Sequence, residues 1–283
     1  LTGYDGSGGE LNPDPSTKVD QTVTKTTAFD VRGNAYKQEI VRSYYDPATE
    51  SLVFSEAQKI ETSSFDIHNR ALSSTIRGYT DATFSTFNDD MQSIVYSSYD
   101  KFGNVLDQTI DTYTSFDIDQ AFQVDHKAIE NTYADPLAQR RGNATKTVAT
   151  RSTYAGGDLI DRSTTETSLF NALGYAVDQT VTTEVYSGGA FVNTEKSQIH
   201  NSDIDNRGDA KTQVISSYIT DDNGLTYDLV TYQELTNRKF DSNHNVINQA
   251  TLTYDQPGGT LLDVTETRSM GFHSSGVALH QVV

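Results

Sequence analysis

The chain has 283 residues and a formal net charge of −18 at pH 7, with a pI near 4.5. This acidic balance argues against nucleic acid as a partner, because phosphate backbones are bound by clustered Lys and Arg. Cysteine is absent, which excludes disulfides and thiolate metal sites, and no apolar run approaches the roughly 18 residues of a membrane helix. A cysteine-free acidic chain rich in Thr, Ser, Asn and Asp is typical of exported bacterial proteins, so we expect an extracellular or cell-surface location.

One phrase recurs along the chain: an aromatic residue, Asp, two residues, Gly-Asn or a substitute, and then a strand. In chain order its clearest copies are FDVRGNAYKQEIVRSY from Phe29, YDKFGNVLDQTIDTY from Tyr99 and FNALGYAVDQTVTTEVY from Phe170. Weaker copies begin at Phe65, Ala138, Ile204, Phe240 and Phe272. A period of about 35 residues lies within the range of repeat architectures.

Aligned on the Gly position, the copies share three columns. The aromatic column is Phe29, Phe65, Tyr99, Phe170, Phe240 and Phe272. The glutamine column, five residues after the Gly, is Gln38, Gln108, Gln179, Gln213, Gln249 and Gln281. A tyrosine near the strand end closes each unit, at Tyr4, Tyr44, Tyr79, Tyr113, Tyr154, Tyr186, Tyr218 and Tyr254. We therefore interpret residues 1–283 as a single repeat array.

The columns predict a half-buried strand in every unit. Positions three, five and seven after the Gly share one face, because strand side chains alternate with period two, and this face is apolar, Gln and β-branched in turn. Asp-x-x-Gly-Asn is typical of hairpins, since Asp accepts from backbone N–H groups and Gly supplies a positive φ. We expect an all-β protein of about eight tandem β-hairpin repeats, of roughly 35 residues each, in a curled or superhelical antiparallel sheet. A parallel β-solenoid with one coil per unit is the alternative.

The segment YDKFGNVLDQ, from Tyr99, resembles the YD repeat of RHS proteins and teneurins, whose motif runs Tyr-Asp-x-x-Gly-Asn or Arg. The resemblance covers about eight residues of nearly every unit, with a longer period than the family's and with Phe more often in place of Tyr. It implies repeated hairpins in a long antiparallel sheet that spirals into a hollow shell, which in bacteria often encloses a toxin.

The two ends of the sequence stand at the same phase of the repeat. GVALHQVV, from Gly276, matches the first half of a unit's strand, and LTGY at the start matches its second half, followed by the turn DGSGG. A strand with unpaired backbone groups invites pairing, and head-to-tail contacts that do not close produce filaments. We therefore expect both ends to lie mid-strand and the array to continue into another copy of itself or of its repeat.

The glutamine column places a polar group on an otherwise apolar face, where an unsatisfied group costs about 1–3 kcal/mol. We expect it to make amide contacts between repeats on the inner face of an assembly, with glycan binding in a polar lumen as the alternative. The aromatic column is expected to pack over the hairpin ends, with sugar stacking as the alternative.

Catalytic and metal-binding patterns do not stand apart from the repeat, so we expect neither an enzyme nor a cofactor. The segment DIDNRGD resembles a Ca²⁺ loop through Asp203, Asp205 and Asp209, but Arg207 occupies an oxygen-ligand position and no Glu follows at position twelve. These expectations favour a structural role, as a segment or subunit of an extracellular β-rich fibre that continues head to tail. An RHS-like shell around a toxin or other cargo is the first alternative, and a glycan-binding adhesin is the second.

Overall fold

The computed structural model describes residues 2–4, 18–46, 49–272 and 276–283, with the backbone alone for residues 2–4, 18 and 19. Its strands form one sheet. They are β1 (Thr2–Tyr4), β2 (Lys18–Phe29), β3 (Ala35–Asp46), β4 (Ser51–Phe65), β5 (Ala71–Tyr79), β6 (Phe87–Tyr99), β7 (Val105–Tyr113), β8 (Gln123–Thr132), β9 (Lys146–Ser152), β10 (Leu159–Phe170), β11 (Ala176–Ser187), β12 (Ala190–Ile204), β13 (Ala210–Ile219), β14 (Asp228–Phe240), β15 (Val246–Tyr254), β16 (Leu261–Phe272) and β17 (Ala278–Val282). The turn DGSGG near the start of the sequence lies outside the described residues.

Every strand pairs antiparallel with the next strand along the chain, from β1–β2 to β16–β17. This confirms tandem hairpins in a curled antiparallel sheet. The alternative of a parallel β-solenoid is wrong, because a solenoid coil would pair in parallel with the coil before it. We number the hairpins one to eight, from β2–β3 to β16–β17, and call the connection within a hairpin its tip and the connection between hairpins a loop. Tips and loops lie at opposite ends of the strands.

The tip turns follow from the Asp-x-x-Gly-Asn phrase. In the first tip, Asp30 Oδ1 accepts the backbone N–H groups of Arg32 and Asn34, both at 2.8 Å. Gly33 has a φ of +87°, a left-handed conformation in which a side chain would be strained. The same pair of contacts, to residues two and four positions further on, recurs at Asp66, Asp100, Asn171, Asp205 and Asp241. The phrase therefore sets the geometry of these tips locally.

The fourth hairpin replaces this turn with a short helix, α1 (Pro136–Arg141). Asp135 caps the helix by accepting from the backbone N–H of Ala138 at 2.7 Å, and Gly142 ends it at a φ of +78°. Asn104 Nδ2, in the third tip, donates to Gln139 O at 2.6 Å, so the helix stays in line with its neighbour. Within the described ranges, no helix combines the length and the apolar character that a membrane crossing requires.

The sheet has little buried core. Its accessible surface of 15768 Å² exceeds the value of about 12,000 Å² expected of a compact monomer of 31.2 kDa. The largest fully buried side chain is that of Met91, which pairs across the strands with Arg77 and Tyr113. Arg77 follows Ile76, which lies on the same face as the glutamine column, so the Met91 cluster faces away from that column. The stability of the fold therefore depends on contacts between adjacent strands.

Ion pairs cross the strands on the face opposite the glutamine column. Glu39 lies 3.5 Å from Lys25 Nζ and 3.8 Å from Lys59 Nζ, and Glu61 lies 3.0 Å from Lys37 Nζ. Pairs of this kind on exposed strands add little to stability and are screened by salt. We therefore assign this face, outside the Met91 cluster, to solvent.

Candidate assembly site

The aromatic column lies at the base of the tips. Its members Phe65, Tyr99, Phe170, Phe240 and Phe272 are half-buried, whereas Phe29 is 61% exposed. The Tyr99 hydroxyl donates to Ala71 O, and the guanidinium of Arg70 lies 4.6 Å from its ring centroid. The column therefore packs against the hairpin ends and does not present the row of exposed rings that stacking on a sugar would use.

Each member of the glutamine column faces a polar residue directly across its hairpin. Gln213 is opposite Asn201, for example, and Gln249 is opposite Asn237. We call these opposite residues the partner column; opposite the six glutamines, in chain order, they are Thr26, Tyr96, Thr167, Asn201, Asn237 and Ser269. The two columns lie side by side on one side of the sheet, which we call the glutamine face.

Amides of the two columns form a continuous chain of hydrogen bonds from β15 to β11. Gln249 Nε2 donates to Asn237 Oδ1 at 2.7 Å, and Asn237 Nδ2 donates to Gln213 Oε1 at 2.9 Å. Gln213 Nε2 donates to Asn201 Oδ1 at 2.8 Å, and Asn201 Nδ2 donates to Ala176 O at 3.1 Å. Since Asn237 is only 4% exposed, these bonds satisfy polar groups that water does not reach. The chain joins hairpins five, six and seven and fixes their register.

Sequence reasoning missed the partner column, although its signal is present in the sequence. Outside the hairpin that contains α1, each partner stands twelve residues before its glutamine, as Asn201 stands before Gln213. The residue type varies among Thr, Asn, Ser and Tyr, so a search for one repeated type does not find the column. Only the strand register shows that these residues share one function.

A second missed column is acidic and stands six residues before the partner position, hence on the same face. Its members are Asp20, Glu56, Asp90, Asp125, Asp161, Glu195 and Asp263, and Thr231 takes the place in the seventh hairpin. We call this the acidic column. It lies at the loop end of the glutamine face, because each of its members stands six residues farther from the tip than the partner column does.

The curl of the sheet brings the sixth tip onto the acidic column of the first hairpin. Arg207 Nη2 lies 3.3 Å from Asp20 Oδ2, and the two side chains are only 11% and 15% exposed. Arg207 Nη2 also donates to Asp241 O, in the seventh tip, at 2.8 Å. The contact thus joins hairpin six to hairpin one, so one turn of the curl takes five hairpins.

Hairpins seven and eight also contact the first three hairpins across the curl. Lys239 Nζ, beside the seventh tip, lies 3.6 Å from Asp46 Oδ1 and 4.9 Å from the ring centroid of Tyr44. Phe272, at the eighth tip, lines a small cleft together with Glu56 and Asp90 of the acidic column. The glutamine face is therefore the inner face of the curl, and the late tips overlap its loop end.

A buried carboxylate joins the sixth and seventh tips beside this contact. Asp209, which is 3% exposed, lies 2.7 Å from His244 Nδ1 and 3.5 Å from Arg207 Nη2. The hydrogen bond to Asp209 raises the pKa of His244, although partial burial of the ring acts in the opposite direction. When His244 is protonated, cations and carboxylates alternate through His244, Asp209, Arg207 and Asp20.

The residues of the Ca²⁺-like phrase are engaged in the sixth hairpin itself. Asp205 Oδ1 accepts backbone N–H groups within the tip, at 2.8 and 3.1 Å. Asp203 accepts the Thr212 hydroxyl at 3.0 Å, and Asp209 contacts His244. In the part of the chain that the structure describes, no three acidic or histidine side chains are grouped as a metal site would need.

We compared the chain with known proteins. Neither a scan against protein-family models nor a search of the curated proteins found a match.

Proposed function

We propose that the chain is a structural protein of an extracellular or cell-surface bacterial assembly, in which the curled sheet forms the wall of a fibre. The observation that carries this proposal is the contact between successive turns of the sheet, in which Arg207 meets Asp20 and Lys239 meets Asp46. A sheet that overlaps itself after five hairpins is a wall with a defined curvature. The acidic, cysteine-free composition supports the location.

A hollow shell around a cargo is the second candidate, and the amide chain favours it. Because the glutamine face lies inside the curl, its amides give the enclosed side a polar lining. The resemblance of the tips to YD repeats supports the same function. Negative-stain microscopy of native material separates the two candidates: uniform filaments are expected of the fibre, and discrete hollow particles would contradict it.

The contact between turns can be tested by charge reversal. In Arg207→Glu/Lys239→Glu, carboxylates face Asp20 and Asp46, and we expect the sheet to open because like charges repel at short range. Small-angle X-ray scattering should show a larger radius of gyration with an unchanged β-sheet signal in circular dichroism. Adding Asp20→Lys/Asp46→Lys restores opposite charges and should restore the compact curl.

The matched control is Arg32→Glu. Arg32 holds the same place in the first tip as Arg207 in the sixth and donates to the next tip in the same way, to Asp66 O at 2.8 Å. It makes no contact between turns with the residues that the structure describes, so the radius of gyration of the monomer should stay that of the wild type. If the double reversal and this control scatter alike, the contact between turns does not hold the curl and the proposal loses its support.

A further inference from the structure

The contact between turns covers the tips of the late hairpins and leaves those of hairpins one to five, which we call the tip rim, uncovered by the described residues. In the covered seventh tip, the polar side chains of Asp241 and Ser242 are buried, at 4% and 9% exposed. On the tip rim, apolar side chains protrude instead: Val31 is 105%, Ile67 86% and Leu173 60% exposed. Apolar side chains grouped along one edge are typical of an interaction surface.

The tip rim also carries cations, and one of them holds the tip position that Arg207 holds in the covered sixth tip. Arg32 stands third in its tip, as Arg207 does in the sixth. Lys101, Arg140 and Arg141 follow in hairpins three and four, and Lys101 and Arg140 lie 5.0 and 5.8 Å from the ring centroid of Phe102. The turn aspartates Asp30, Asp66, Asp100 and Asp135 stand on the same rim, where each accepts a backbone N–H group of its own tip. The tip rim therefore presents apolar side chains and cations along one edge of the sheet, and its carboxylates are engaged within the tips.

The opposite edge carries acidic groups without any cation. We call the loops 114–122, 153–158, 188–189, 220–227 and 255–260 the loop rim; they contain neither Lys nor Arg. Their acidic residues are Asp117, Asp119, Asp158, Asp221, Asp222 and Asp255. Exposed apolar side chains stand among them, with Ile118 60% and Leu225 87% exposed. The loop rim is therefore an acidic and apolar edge.

The loop rim adjoins the part of the acidic column that no tip covers in the described chain. Asp125 and Asp161 share Arg151 at 3.5 Å, and Glu195 and Asp263 are exposed to solvent. In the first hairpin, the equivalent Asp20 receives Arg207 from a tip. The surface that accepts a tip thus continues around the sheet beyond the hairpins that the late tips reach.

We infer that the tip rim of one copy docks on the loop rim of a second copy of this chain, which repeats between chains the contact that the sixth tip makes with β2. The inference rests on the proposed function and names the partner of the same site. Because the two rims are different surfaces, the contact is heterologous and leaves one rim of each kind at the ends of a stack, so copies add without closing. The net charge of −18 repels copies in other orientations.

Two complementary variants test this docking. The first, Arg32→Glu/Lys101→Glu/Arg140→Glu, makes the tip rim acidic, and the second, Asp119→Lys/Asp221→Lys/Asp255→Lys, makes the loop rim basic. Sedimentation velocity of the wild type over a range of concentrations should show growth of stacked species at about 20 mM salt and their loss at about 500 mM. Each variant alone should need at least about a tenfold higher concentration for the same growth, because like charges meet at the contact.

An equimolar mixture of the two variants should associate again, since the acidic tip rim of the first then faces the basic loop rim of the second. Circular dichroism and the radius of gyration at low concentration show whether each variant keeps the fold. A wild type that stays monomeric at low salt, or folded variants that associate as the wild type does, would overturn the inference. Neither result affects the curl of the monomer, which Arg207→Glu/Lys239→Glu tests separately.

Discussion

At the scale of single residues, the amide chain shows how a polar side chain becomes part of a sheet's structure. Asn237 is the central link: its Nδ2 donates to Gln213 Oε1 and to Ala210 O, at 2.9 and 2.8 Å, and its Oδ1 accepts from Gln249 at 2.7 Å. A single amide of β14 thus satisfies three groups on its two neighbouring strands, β13 and β15. Asn237 is therefore the side chain that links hairpin seven to hairpin six, through Gln213 and Ala210 O.

Asn237→Ala should consequently destabilise the protein more than loss of a glutamine does. It removes the partner of Gln213 Oε1, Gln249 Nε2 and Ala210 O, and we expect a loss of about 2–4 kcal/mol in the free energy of unfolding, measured in urea. The matched control is Gln179→Ala, which removes one bond of 3.3 Å to Thr167 and should cost less than about 1 kcal/mol. Equal losses in the two variants would show that the chain of amides does not act as a unit.

At the scale of elements, the tips are more than the ends of hairpins, because each side of a tip contacts a different neighbour. The sixth tip contacts the seventh through Asp209 and His244, and it contacts β2 through Arg207 and Asp20. A change in the charge of His244 therefore alters the electrostatic environment of Asp209, which lies beside the contact between turns. The first tips have the same turn geometry, but no second neighbour contacts them within the described ranges of the chain.

The stability should depend on pH through this pair of tips. The pKa of His244 is raised above its ordinary value of 6.5, so its stabilising effect is fully present below pH 6.5 and is lost as the pH rises through the folded-state pKa. The difference in unfolding free energy between wild type and His244→Asn should be largest near pH 6 and shrink toward pH 8. Asn suits the positive φ of this position, +68°. A difference that grows with pH would contradict the assignment; His68→Asn, in the second tip, is the control.

At the scale of the whole molecule, the sheet is a wall one layer thick, and its extensive contacts join consecutive strands. Such a structure behaves as a one-dimensional array, in which a substitution in one hairpin mainly affects the stability of the adjacent hairpins. The contacts of the late tips with hairpins one to three are the exception, and they convert a ribbon into a curl. Loss of these contacts should therefore change the shape before it changes the strands.

Local propagation can be tested at Met91. Met91→Ala opens a cavity in the cluster with Arg77 and Tyr113, and we expect a cost of about 2–5 kcal/mol. Amide hydrogen exchange should accelerate in β5, β6 and β7 and remain at the wild-type rate in β11–β15, which the amide chain joins. The exposed Val95→Ala, in the same strand, is the control and should change neither region. Uniform acceleration over all strands would indicate a single cooperative core.

Much of the fold could be predicted because its signals are local. The tip turns are specified within five residues, as at Asp30–Asn34, and the strand faces follow from alternation alone. The glutamine column was found for the same reason. The partner and acidic columns were not found, because their members become equivalent only in the strand register. The register places Asn201 opposite Gln213 and Thr26 opposite Gln38, and Asp20 stands six residues before Thr26 on the same strand.

The sequence by itself determined that this protein is an array of antiparallel hairpins with an amide-bearing face, since turn chemistry and side-chain alternation act over a few residues. Only the tertiary structure decided that the sixth tip meets the first hairpin. That contact depends on the twist accumulated over ten strand pairings and on bulges near the tips, such as the register shifts on either side of Ala28. The small rotations between adjacent strands add up over these pairings, and a sequence pattern of a few residues does not determine the total rotation. The contact between Arg207 and Asp20, and with it the function that we propose, is therefore a property of the curl.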